Sequence, residues 1–286
     1  MRSTASACVL GAILALACAA RADGVDKVAM PQARGQAIVK AQLEAVKHWS
    51  DESAMSATFA SSGFVLTPSG ARPIAGAGSI ASAIAFLNPH STVKDATFDH
   101  FTAGGNAKLA WFTAELHFTV VSSEPGFGTT SEKHTVRAVE LLEGAAGWKV
   151  TVAAFTNVAK LQAVGSCEIT EPTPAGPLIK LLVDPAALAA ALDPAAVVMG
   201  TDPAERGAGA AARTLLGKWK TIKLSLDTTQ KLRELHVPEY GYAMANVKLE
   251  PPKPGGSPQA MSAFVLALPT PDGGWQVLAA SYGATF

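Results

Sequence analysis

The hydrophobic rhythm of this chain changes once, and the change then repeats. Between Gln32 and Trp49, residues Ile38, Ala41, Ala45 and Trp49 recur near one face, Val39, Leu43 and Val46 lie beside them, and Lys40, Glu44 and Lys47 stand opposite. That spacing is helical. Ser50-Asp51-Glu52 reads as an N-cap with acids in the first turn of a second, short helix. Gly63 to Leu66 reads as a strand, and Ser79 to Leu87 as a third helix. After Asn88-Pro89 the period falls from about four to about two. Strands are expected over 93–102, 108–122, 134–143 and 148–157, with turns at Gly104-Gly105-Asn106 and Pro125-Gly126-Phe127-Gly128. Helices followed by an antiparallel meander predict an α+β fold, with helices packed on one face of a curved sheet.

Gly165, Pro172, Pro174 and Gly176 punctuate a polar stretch that reads as a linker over 159–176. Beyond it the same order returns. Asp184-Pro185 is an N-cap followed by proline at the first helical position. Val197-Val198-Met199 stands where Phe64-Val65-Leu66 stood, Arg206-Gly207 where Ala75-Gly76 stood, and Gly274-Trp275 where Gly147-Trp148 stood. A helix through Leu215 to Trp219 and a strand over 221–227 are expected between them. Gly76 and Gly207, like Trp111 and Tyr242, are 131 residues apart, and Trp148 and Trp275 are 127 apart. Two tandem copies of one domain are therefore expected, over 23–158 and 177–286. In the second, Pro177 to Val183 is all that stands for the long first helix.

Composition changes this picture little. Lys plus Arg and Asp plus Glu are both 23, which argues against nucleic acid as a partner, since phosphate binding needs clustered cations. The first 22 residues read as a signal peptide: Arg2, an apolar or small run from Ala5 to Ala20, then Ala20-Arg21-Ala22 as a cleavage signal. Ala15-Leu16-Ala17 before Cys18 also leaves a lipoprotein open. Cleavage would remove Arg2 and Arg21, leaving 21 bases against 23 acids. Cys167 would then be the one remaining cysteine, unable to form an internal disulfide. The expected location is outside the cytoplasm, periplasmic or secreted.

The motifs Phe64-Val65-Leu66 followed by Gly76, Lys108-Leu109-Ala110-Trp111-Phe112 and Gly147-Trp148-Lys149-Val150, each echoed later in the chain, resemble the nuclear transport factor 2-like superfamily, and within it the SnoaL-like and ketosteroid-isomerase-like domains. The resemblance implies two tandem cone-shaped α+β barrels, each with a pocket between helices and sheet, and pairing of the two through their sheets. Many SnoaL-like relatives carry a histidine shortly after the Gly-Trp pair. Here those positions hold Ala153, Ala154 and Phe155, and in the second copy Ala280, Ser281 and Tyr282. Isomerase relatives rely on a buried tyrosine and carboxylates, yet the first copy has no tyrosine.

Candidate chemistry gathers on one strand. Over 108–122, Trp111, Thr113, Glu115 and His117 share a face opposite Ala110, Phe112, Ala114 and Leu116. That mixed face is either a polar-flecked pocket wall or a solvated or domain-contact face. A carboxylate beside an imidazole suits a general base pair. Arg137, mid-strand among apolar residues, needs a partner, which Glu115 or a ligand anion would supply. The second copy carries Asn246, Lys248 and Phe264 at these three places. The six histidines are scattered without helical metal spacing, so neither a metal nor a cofactor is expected. The expectation is an exported, non-enzymatic monomer whose two copies pair within the chain. Trp49, Trp111, Glu115, His117 and Arg137 would line a site for a small apolar ligand in the first copy. The alternatives are an isomerase, cyclase or dehydratase using Glu115 or His117 as base, with Arg137 stabilising an oxyanion, and a structural, partner-binding module.

Overall fold

In the computed structural model, the described residues are 32–45, 47, 52–66, 74–80, 91–106, 108–124, 128–144, 147–159, 162–163, 175–227, 232–251 and 257–284. Trp49, residues 1–22 that read as a signal peptide, Cys18, Cys167 and most of the 159–176 stretch lie outside them. Helix α1 covers 32–45 and buries Ile38, Val39, Gln42, Leu43 and Ala45. The short helix α2 (Glu52–Ser56) ends earlier than its composition suggests, because Phe59 already begins strand β1 (Phe59–Leu66). Strand β2 (Ile74–Ala75) and a helical turn at 77–80 follow. The meander comes next: β3 (Ser91–Gly105), β4 (Leu109–Glu124), β5 (Gly128–Glu143) and β6 (Lys149–Asn157).

Strand β7 (Gln162–Ala163) pairs with the edge of a later strand, so part of the stretch read as a linker is tied down. Helix α3 (Pro177–Val183) places proline in its first turn, and Glu234 accepts from the free N–H groups of Leu178 and Ile179 at 3.1 and 3.0 Å. Helix α4 (Pro185–Ala191) is capped by Asp184, whose carboxylate accepts from Ala186 and Ala187. Then come β8 (Leu192–Met199), β9 (Arg206–Ala208), α5 (Ala210–Lys218), β10 (Leu224–Leu226), β11 (Arg233–His236), β12 (Gly241–Leu249), β13 (Gln259–Pro269) and β14 (Trp275–Ala284). The strand expected over 221–227 is shorter than its pattern, because Trp219–Thr221 forms a 3-10 turn.

The result is an α+β protein with one large, mainly antiparallel sheet in the order β10-β12-β13-β14-β6-β5-β4-β3, and few helices. Three apolar clusters organise it. One lies between α1, α2 and the faces of β3–β6 that carry Phe98, Phe112, Ala138 and Ala153. A second lies between α3–α5 and the β12–β14 faces carrying Ala243, Val265 and Ala280. The third joins opposite faces of both portions, with Trp111, Leu141 and Val152 against Tyr242, Phe264 and Leu278. Alternation along each strand makes this possible, since successive side chains point to opposite faces.

Strand registers recur between the two portions. β1 runs parallel to β6 through Phe64–Val152, Val65–Ala153 and Leu66–Ala154, and β8 runs parallel to β14 through Val197–Ala279, Val198–Ala280 and Met199–Ser281. A bulge falls at Leu141/Leu142 in the β5–β6 ladder and at Leu266/Ala267 in the β13–β14 ladder. The glycine that answers Gly76 is Gly209, not Gly207: both have positive φ (82° and 56°), and their N–H groups donate to Gly63 and Ala196. Ladder position likewise sets Ser262, not Phe264, against Arg137. Arg137 pairs with Thr156 and Ser262 with Gly283, and Thr156 and Gly283 share the 127-residue spacing of the two tryptophans. The two bulges are equivalent, skipping Thr151 and Leu278; counting drifts by two because the turn between paired Leu268 and Gln276 is two residues longer than the one between Glu143 and Lys149.

The portions meet where β6 pairs with β14 through Asn157 and Ala284, beside a 2.6 Å hydrogen bond between the Thr156 and Ser281 hydroxyls. Gly283 permits this approach, for a Cβ there would lie 2.6 Å from the Asn157 carbonyl oxygen and 2.8 Å from Thr156 Cβ. Gly283→Val is expected to destabilise the protein by roughly 2 kcal/mol or more, since overpacking typically costs about 1–3 kcal/mol and here meets backbone. Urea unfolding of the full chain measures it.

Candidate functional site

The face question on β4 has a direct answer. Ala110, Phe112, Ala114 and Leu116 point to the helix side. Trp111 points the other way, into the cluster that joins the two portions, and Glu115 lies on its face. Glu115 sits opposite Arg137 in the β4–β5 ladder, and Arg137 Nε donates to Glu115 Oε2 at 3.1 Å. The two side chains are 5% and 0% exposed, so this pair lies in a dry setting where an unpaired charge would be costly. Arg137 spends its other nitrogens on backbone: Nη1 donates to the Gly200 carbonyl, and Nη2 to those of Asp202, at 2.8 Å, and Pro203. A planar guanidinium with several donors is suited to such a cage.

A second arginine crosses the junction in the opposite direction. Arg206 of β9 donates to the His100 carbonyl, to Thr102 Oγ1 at 3.3 Å and to Thr113 Oγ1 at 3.1 Å. Burial lowers its pKa and nearby Arg137 lowers it further, while Glu115 and Asp99 hold it up. His117 is half-buried; its Nδ1 is 3.1 Å from Thr135 Oγ1, and its Nε2 faces Asp99 Oδ1 at 3.2 Å and Glu115 Oε1 at 3.9 Å. The structure thus brings Trp111, Glu115, Arg137 and His117 to one face, but it is the face where the two portions meet and not the one turned to the helices. Glu115 and Arg137 satisfy each other and the 200–203 backbone, so the base-and-oxyanion arrangement has its oxyanion donors already committed. Trp49 lies outside the described residues.

The helix side carries a polar group that the sequence pattern did not single out. Glu140 of β5 faces α1, flanked in the ladders by Phe112 and Ala153, and is fully buried. Gln42 of α1 donates from Nε2 to Glu140 Oε2 at 3.0 Å, while Oε1 has no partner. Desolvation raises the carboxyl from 4.5 to about 8, with the Gln42 hydrogen bond opposing in part. At neutral pH this group is therefore a neutral acid able to donate a hydrogen bond. Its signal in the sequence is parity: in Val136-Arg137-Ala138-Val139-Glu140-Leu141-Leu142 the acid falls in phase with inward Ala138 and Leu142. The corresponding ladder position in the C-terminal portion, opposite Ala280, is Val265.

No family model and no curated protein matches this chain. Solved structures do. A ketosteroid isomerase-like protein from Erwinia carotovora atroseptica aligns at 17% identity, covering 45% of this chain and 97% of its own, with a TM-score of 0.39. A nuclear transport factor 2-like family protein from Streptomyces avermitilis aligns at 14% identity over 44% of this chain and 96% of its own, TM-score 0.37. ActVI-ORFA from Streptomyces coelicolor aligns at 13% identity over 44% and 95%, TM-score 0.36.

Two outcomes follow from these charges. Between pH 4.5 and about 8 the folded protein holds a proton on Glu140 that the unfolded chain releases, so stability falls as pH rises through that window and levels off above it. Glu140→Gln is expected to flatten this decline, which amounts to at most about 5 kcal/mol at ~1.4 kcal/mol per pKa unit, in urea titrations run at a series of pH values. Arg137→Ala is expected to lower stability by about 3–5 kcal/mol by stranding Glu115, and Arg137→Met with Glu115→Met to restore most of that loss in the same assay.

Proposed function

We propose that this chain is a tandem nuclear transport factor 2-like protein, two cone-shaped α+β units paired through their sheets within one polypeptide. We further propose that the N-terminal unit binds a small, mostly apolar molecule carrying one neutral hydrogen-bond acceptor. The repeated registers and bulges support the duplication. The β6–β14 pair supports the pairing: Asn157 and Ala284 share the 127-residue spacing, so equivalent positions face each other as in an isologous contact. The leader pattern supports export, and the pairing inside one chain supports a monomer.

The observation that carries the binding reading is the free oxygen of Glu140. A buried carboxyl with one unmade hydrogen bond is costly in an apolar core, and a ligand carbonyl or hydroxyl would meet it. The surroundings favour a small ligand: Ala103, Ala110, Ala114, Ala138 and Ala153 line the same cluster as Phe98, Phe101 and Phe112. A cleft of about 280 Å³ opens between α1 and β3, lined by Lys40, Leu43, Glu44, Ala96, Thr97 and Phe98, the last of which also packs in this cluster. The C-terminal interior is closed instead. Tyr282 donates to the Leu182 carbonyl at 3.1 Å, Trp219 packs edge-on against its ring, and Val265 replaces the acid. The role of that unit is structural.

Native mass spectrometry of the full chain, purified without denaturant, tests this reading. Wild-type protein is expected to retain a small-molecule adduct that Glu140→Val loses while keeping a cooperative thermal transition. A wild type without adduct, or an adduct kept by the variant, would overturn it.

A further inference from the structure

We infer that Asp99, His100, Glu115 and His117 form a binding site for one divalent transition-metal ion, of the zinc type, at the solvent edge of the junction between the two portions. This site is separate from the Glu140 cluster and does not rest on it. Asp99, His100 and Glu115 each present a ligand atom, all within 4.8 Å of one another. His117 Nε2 adds a fourth, 3.2 Å from Asp99 Oδ1 and 3.9 Å from Glu115 Oε1, and His100 Nδ1 is 2.8 Å from Asp99 Oδ1. Around a tetrahedral ion bound at 2.0–2.2 Å, ligand atoms stand about 3.4 Å apart. The His117 distances to Asp99 and Glu115, 3.2 and 3.9 Å, already bracket that spacing.

The backbone is bent to achieve this. Consecutive strand residues normally point to opposite faces. At Asp99 the β3–β4 register slips, and His100 adopts a left-handed conformation with φ of 46°. Left-handed conformation is uncommon outside glycine, and bulges beside functional sites re-aim side chains. Here the slip brings both Asp99 and His100 to Glu115, while Glu115 and His117 reach the same spot as alternate residues of β4.

His117 points to a ligand independently. Its Nε2 is enclosed and makes no aligned hydrogen bond. In the tautomer that donates Nδ1–H to Thr135, the Nε2 lone pair faces two carboxylates, an arrangement that a cation between them resolves. Thr135 thus plays the outer-shell part common to metal-bound histidines. The neighbouring charges choose among metals. Arg137 occupies Glu115 Oε2 and leaves Oε1, and Arg206 stands close by. Two guanidinium groups weaken a site that relies on negative charge alone, which disfavours calcium and magnesium. Two imidazoles favour zinc and its neighbours. The Asp99 and His100 side chains are 54% and 53% exposed, so the ion can enter and keep a face open to water.

The test uses the full chain, stripped with chelator and dialysed against zinc, with bound metal counted by mass spectrometry and affinity set by competition with a chromophoric chelator. One zinc per chain and a raised melting temperature are expected, with no response to calcium or magnesium. His117→Gln is expected to abolish this site. The exposed His100→Ala, which leaves the junction intact, is expected to weaken it at least about tenfold, and Thr135→Val by about 10–100-fold. Wild type that takes up no zinc would overturn the proposal. So would variants that bind as tightly as wild type, which would place any zinc at other histidines.

Discussion

The architecture depends on how Arg137 is buried. It stands in the middle of a strand, on the face that meets the second half of the molecule, and its charge has no route to water. Glu115 across the ladder neutralises it, and three carbonyls of the 200–203 loop take its remaining donors. Those carbonyls belong to the turn after β8, which Glu205 in turn braces by accepting from Asp202 N–H and from Trp219 Nε1. One guanidinium thus ties β5 of the N-terminal portion to the β8–β9 connection and the α5 end of the other. The apolar cluster that holds Trp111, Tyr242 and Phe264 supplies the area, and the arginine supplies the registration, because a displaced junction would strand a charge.

Strand registers that recur in the two portions enclose different interiors. Ladder for ladder, Glu140 answers to Val265, Arg137 to Ser262 and Glu115 to Asn246. At these three equivalent positions the ionisable groups are all in the N-terminal portion, Glu140 inside its helix-sheet core and Glu115 and Arg137 on the junction face. The C-terminal portion closes its core with Tyr282, Trp219 and Leu182. A buried acid thus stands in one core and a filled aromatic core in the other.

Much of this was legible in residue order. The switch from helical to alternating spacing located β3, β4 and β6 to within a few residues and β5 apart from its first six, since half-buried strands must alternate. The Asp184-Pro185 cap marked α4, and the two Gly-Trp pairs marked β6 and β14. The alternation on β4 also divided its side chains correctly into two sets. What it left open was which set faced the helices, for both sets of a strand buried on two faces look internal. The metal-like cluster was less legible still: its ligands come from two strands and depend on a bulge at Asp99, so no fixed spacing announces them.

The sequence by itself determined the elements, their order and their repetition, because periodicity, caps and turn residues act over neighbours a few positions apart. Only the tertiary structure decided which residues share an environment. Glu140 is an acid near 8 because an apolar core buries it, against the opposing pull of the Gln42 hydrogen bond, and Glu115 is an ion-pair partner because Arg137 and a loop about 65 residues further along the chain arrive at the same point. Desolvation and charge pairing are set by distances in space, and a linear chain carries those only once it is folded.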